Sequence, residues 1–281
     1  MCNFTNILYN KIVIETNFKI EGMTTIQLED KIKKLILKNK NIKSIFERNQ
    51  LGYITTFFSK FLLKDGKYIK DTHLKDLLIL YSIDYYLKEK LTENSLKVNR
   101  HLNILILNSW EKGLISKRTG DKQNTFEMVV NFFKEKLSTE EQEILVKEFN
   151  KLHDTSFKNS IEFYDSISYI VVLRNSGLYH YSVISYEYAT MIEFGVKHKN
   201  KDGKTKTLKD TMHHLAKFIN VFTAKKLINE IKDIIYKHEY STPTIGDIVW
   251  NKMFNLLNFD ILLNINRKNH HYSISNLLEG K

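Results

Sequence analysis

The chain has 281 residues, of which 42% are hydrophobic and 27% charged, and its formal net charge is +11. This composition carries enough apolar material for a buried core and excludes a disordered polyelectrolyte. The longest uninterrupted apolar runs are five residues, well below the roughly 20 of a membrane-spanning helix, and the single cysteine, Cys2, excludes both an intrachain disulfide and a thiolate metal site.

The N-terminus, MCNFTNILYNK, lacks the basic-then-apolar plan of a secretory signal, so a reducing, cytoplasmic setting is expected. Residues 7–20, ILYNKIVIETNFKI, are rich in β-branched side chains and alternate loosely, which predicts one or two short strands. Elsewhere helix breakers are scarce, with one proline and ten glycines. The stretch LKDGKYIKD (63–71) carries Gly66 among charges and reads as a linker or a turn. In residues 71–91, Leu74, Leu77, Leu78, Tyr81 and Tyr85 recur three or four apart and predict one apolar helix face. Ser138 and Glu141 have the spacing of a capping box ahead of a helix over 138–152. A further helix is predicted over 159–173, capped by Asn159 or Ser160. Asn175, Ser176 and Gly177 are turn formers, so Arg174 is expected to end that helix or open a kink. The next helix is expected over 178–195, with Gly195 as its stop. A periodic stretch runs from Thr207 to about His238 with a break near Thr223, and a last helix follows Pro243. The expected fold is therefore all-α, a helical bundle with extra helices and one or two short N-terminal strands. It divides into a helical and strand segment over 1–66 and a helical domain over 67–281, or forms one continuous domain.

The positive charge points to a polyanionic partner, although a chain this rich in Lys, Asn and Ile carries part of it as compositional bias. Arginine is the sharper signal. Only five of the 43 basic residues are Arg: Arg48, Arg100, Arg118, Arg174 and Arg267. A planar, permanently charged fork binds phosphate in a way that lysine does not. Arg174 stands at the end of an apolar run, and His180 follows six positions later inside a second one. The two would lie about 120° apart on a straight helix. A bend at Asn175–Gly177 is therefore expected to bring them to one cleft, beside the anion-attracting N-terminus of the following helix.

The segment Arg174, Asn175, SGLY, His180 resembles the signature of the HEPN superfamily, an Arg followed after four to six residues by a His, often with Asn next to the Arg. Two other segments serve as controls. RNQLGYI (48–54) has the Arg-Asn pair but no His in range, and RKNHHY (267–272) has two His too close to its Arg. The resemblance covers seven residues and implies a helical-bundle fold and a metal-independent endoribonuclease without a cofactor. In that reading the RNA 2′-hydroxyl is the nucleophile, His180 moves protons near neutral pH, and Arg174 stabilises the charged phosphorane. Asn175 positions a phosphate oxygen or holds the His180 tautomer. The resemblance also implies a homodimer, in which two motifs face each other and supply the second histidine. A toxin or antiphage abortive-infection role follows, with RNA as substrate and an antitoxin or regulatory partner.

Plainer readings stand beside these. Arg174 caps carbonyls or pairs with an acid on a neighbouring helix, and His180 is a satisfied core histidine. The basic stretch after the motif holds Lys197, Lys199, Lys201, Lys204 and Lys206, which either track an RNA backbone or form a solvated loop. Tyr179, Tyr181, Tyr186 and Tyr188 read as mixed core and cleft wall. His213 and His214 are adjacent, so they point to different helix faces and do not make a two-histidine metal site. The competing functions are a catalytically silent HEPN-like module that binds RNA or protein, and a helical DNA-binding or structural protein with an accidental motif.

Overall fold

The computed structural model describes residues 17–38, 43, 54–117, 126–153, 155–178, 208–218 and 221–257. The fold is all-α. Of the described residues 76% are helical, in nine helices, against one sheet of two short strands. The helices are α1 (Thr25–Lys38), α2 (Ser59–Leu62), α3 (Leu74–Glu111), α4 (Phe126–Glu135), α5 (Thr139–His153), α6 (Ser160–Leu178), α7 (Leu208–Ala216), α8 (Val221–Tyr236) and α9 (Pro243–Leu256). A π-helical turn, Ile54–Phe58, leads into α2. The strands expected within 7–20 lie outside the described residues except for 17–20, where Lys19 forms an isolated bridge with His73.

Two compact units are distinguished, Met1–Tyr86 with Ile231–Met253, and Leu87–Glu230 with Phe254–Lys281. Residue 66, the expected boundary, falls inside the first unit at the tip of a hairpin. Strands β1 (Leu63–Lys64) and β2 (Lys67–Tyr68) pair Leu63 with Tyr68 around Asp65-Gly66. Both turn residues have positive φ, 51° and 75°, the conformation that suits a two-residue hairpin and favours Asp-Gly.

In the first unit, the start of α3 is fixed by Asp76, which is wholly buried. Its carboxylate accepts hydrogen bonds from the His73 amide at 2.8 Å, the Ser241 amide at 2.9 Å and the Ser241 hydroxyl at 2.6 Å. A buried acid is tolerable because each donor offsets part of its desolvation. Helix α9 begins as its sequence dictates, with Pro243 in the first turn and the Thr242 hydroxyl accepting from the Ile245 amide. Helix α3 runs 38 residues, well past the expected end near 91. Of its predicted apolar face, Leu74, Leu77 and Leu78 are buried, whereas Tyr85 is 57% exposed. A phenol tolerates that position because its hydroxyl stays hydrated.

The second unit is built around α6. Phe133 of α4, Phe149 of α5, Phe157 before α6 and Phe218 after α7 surround Phe163, with ring centroids 4.9–5.7 Å from it. The expected capping box is present. The Ser138 amide donates to Glu141 at 2.8 Å, and the Glu141 amide donates to the Ser138 hydroxyl at 3.2 Å. Glu141 is held down to about 2, first by the Ser116 amide. The Asn159 side chain caps α6, accepting from the Glu162 amide at 2.9 Å. The break predicted near Thr223 comes earlier, between α7 and α8, because Lys217 and Phe218 already leave helical geometry.

Candidate functional site

Helix α6 carries the first two residues of the motif. Its neighbours are antiparallel to it. Phe133 near the end of α4 meets Phe163 near the start of α6, and Glu127 in the first turn of α4 meets Arg174 towards the end of α6. On the other side, Lys217 after α7 binds Glu162 at 2.8 Å, and His214 lies against Ser166 and Tyr169.

Arg174 follows buried Ile170, Val171 and Leu173. Its aliphatic stem is covered and its side chain is only 17% exposed. Nη1 donates to Glu127 Oε1 at 3.3 Å. Both helix ends favour this pair, since an acid suits the first turn of α4 and a cation the last turns of α6. The structure thus pairs Arg174 with an acid on a neighbouring helix, one of the two plain readings of this residue. Sequence reasoning missed Glu127. Nothing local marks it, because the two residues are 47 positions apart.

The turn expected at Asn175, Ser176 and Gly177 does not form. Helix α6 continues through them to Leu178. These residues cost roughly 0.5–1 kcal/mol each in a helix, a deficit that packing of the preceding apolar turns offsets. The backbone of Asn175 is therefore helical, and Leu178, the residue after Gly177, still belongs to α6. His180 lies outside the described residues, as do Lys197, Lys199, Lys201, Lys204 and Lys206 and, apart from Leu178, the helix expected over 178–195.

Two further histidine arrangements emerge. His214 Nδ1 is 2.8 Å from the Ser166 hydroxyl, and its ring stacks on Tyr169 with centroids 4.0 Å apart. Ser166 is wholly buried, so this contact locks α7 to α6 and does not expose a nucleophile. Ser166 and Arg174 are eight residues apart on α6, ~12 Å along its axis, so His214 sits at another level of the bundle. The rings of His213 and His214 are nearly perpendicular, at 83°, and His213 is exposed. His101 of α3 and His153 of α5 stack with centroids 4.5 Å apart and planes 11° from parallel. Burial lowers both pKa values, aided by Lys97 for the first and by His101 for the second. Parallel rings at this spacing cannot both hold one metal ion in plane. Among the described residues no group of three His, Cys, Asp or Glu is placed to hold a metal ion, and no helix is long and apolar enough to cross a membrane. Comparison of the chain with family models, with curated proteins and with solved structures returns no match.

Proposed function

We propose that this protein is a metal-independent endoribonuclease of the HEPN type, acting as a toxin-like or antiphage abortive-infection effector. The observation that carries the reading is the Arg174-Asn175-SGLY-His180 motif in an all-α chain. The placement of Arg174 supports it. A shielded guanidinium held by Glu127 is pre-organised, and a fixed cation in partly dry surroundings stabilises developing charge better than a solvated one. The 2′-oxygen attacks phosphorus, the bond to the 5′-oxygen breaks, and a cyclic phosphate and a 5′-hydroxyl result. One imidazole takes the 2′-proton and a second protonates the leaving oxygen. His180 supplies one, and its copy in a homodimer the other. Asn175 orients, and Lys197, Lys199, Lys201, Lys204 and Lys206 track the RNA backbone.

The test is cleavage of RNA by purified protein in EDTA. The expected products are 2′,3′-cyclic phosphate and 5′-hydroxyl ends, with no cleavage by His180→Ala and none of a substrate carrying 2′-deoxyribose at the scissile position. Strict Mg²⁺ dependence, or full activity of folded His180→Ala, refutes the assignment. The second reading is a silent module that binds RNA or protein. The Arg174–Glu127 pair favours it, because it gives the arginine a structural purpose. RNA binding without cleavage by the parent chain supports that alternative.

A further inference from the structure

Helix α3 has two dissimilar sides within the second unit. Val98, Leu102, Leu105, Ile106 and Ser109 are buried. On the opposite side Ile104 is 56% and Leu107 43% exposed, with Leu96 beside them at 37%, and Trp110, also 37% exposed, lies at the edge between the two sides. Arg100, Ile104, Leu107 and Glu111 follow one another in steps of four, three and four, the spacing of a coiled-coil seam. At 100° per residue they fall within about 60° of arc. Arg100 and Glu111 are exposed, and neither has an ion-pair partner among the described residues.

We propose that this stripe pairs with its own copy on a second chain, antiparallel, across a two-fold axis passing between Leu105 and Ile106. The order cation, apolar, apolar, anion becomes its own complement when reversed. About that axis Arg100 meets Glu111 of the second copy, and Ile104 meets Leu107. A parallel pairing would set Arg100 on Arg100 and Glu111 on Glu111, which like-charge repulsion disfavours. A self-complementary patch is what a two-fold interface requires, which selects a second copy over an unrelated helix. The stripe spans ~17 Å. Even with Leu96 and Trp110 at its flanks it lies at the small end of interface sizes, so the pairing is weak and concentration-dependent. The seam does not rest on the ribonuclease reading. Leu102, Leu105 and Ile106 line a small apolar gap with Phe163 and Ile167 of α6, so the stripe faces away from α6. It does not bring two copies of Arg174 together.

Sedimentation of the full chain over a concentration series tests the seam. The weight-average mass is expected to rise with concentration by up to twofold from its value at the dilute limit, at 33.3 kDa per chain. Arg100→Glu and Glu111→Arg each place like charges at both ends of the seam and should weaken association about tenfold or more. An equimolar mixture of the two variants should regain association, because each substituted position then meets its opposite charge on the other chain. Ile104→Asp should abolish the association that the seam carries, the same step that Arg100→Glu and Glu111→Arg weaken, with helicity by circular dichroism unchanged. A parent mass independent of concentration overturns the seam. So does a mixture no stronger than either variant alone, or an association that none of the three substitutions changes, whichever other face carries it.

Discussion

Arg174 has two readings that differ in the size of the effect its removal produces. As a structural residue it contributes the ion pair with Glu127, its own side chain 17% exposed and that of Glu127 41% exposed. A pair whose acid is this open to solvent contributes about 0.5–1 kcal/mol. Loss of that amount changes any equilibrium or rate by about fivefold at most. As the cation facing a phosphorane, its loss should lower the cleavage rate by about 10²–10³, equivalent to about 3–4 kcal/mol of transition-state stabilisation. The perturbation is a cycle of Arg174→Ala, Glu127→Gln and the double variant. Stability is followed by urea unfolding, and activity by initial rates on a single-cut RNA. The stability coupling is expected at or below about 1 kcal/mol. Glu127→Gln should cost less than about tenfold in rate, since it only loosens the guanidinium. Arg174→Ala should cost at least about a hundredfold in rate, with the unfolding midpoint lowered by the loss of the pair and of the covered stem. A folded Arg174→Ala protein that cleaves within tenfold of the parent refutes the catalytic role and leaves the ion pair as the purpose of the residue.

Two predictions concern stability. Phe163→Ala removes the ring at the centre of the four-phenylalanine shell and should cost about 3–5 kcal/mol, read as a lowered urea midpoint with the slope unchanged. A loss below about 1 kcal/mol would mean that the shell collapses onto the gap or is not packed as described. His238 is held down to about 4 by burial and then by Lys237. The folded state therefore binds its proton less tightly than the unfolded chain does, and stability contributed by the neutral ring is lost as pH falls from about 6.5 towards 4. Relative to His238→Gln, the parent should lose roughly 3 kcal/mol across that window. Parallel pH profiles for the two proteins would refute the burial of this imidazole.

Local chemistry decided much of the fold. Ser138 and Glu141 cap each other over three residues, Asn159 caps α6, and Pro243 opens α9. These signals act between near neighbours in the chain and need no knowledge of what lies across the core. The all-α character follows from the same short-range information, summed over a chain with one proline. Propensity misled at Asn175–Gly177. A weak local preference for a turn gives way where an apolar helix is already anchored by Ile167, Ile170 and Leu173. The length of α3 was hidden for a related reason. Beyond residue 91 it alternates between a buried side and an exposed apolar side, and a helix apolar on two faces presents no single clean stripe. The motif itself is legible as Arg174, Asn175 and His180, since it is a spacing along one chain. What holds Arg174 is not. Its partnership with Glu127 joins residues 47 apart, and the contact of Ser166 with His214 joins residues 48 apart. Such pairs exist only once α4 and α7 pack antiparallel to α6, because packing geometry, not sequence order, sets which side chains of different helices meet.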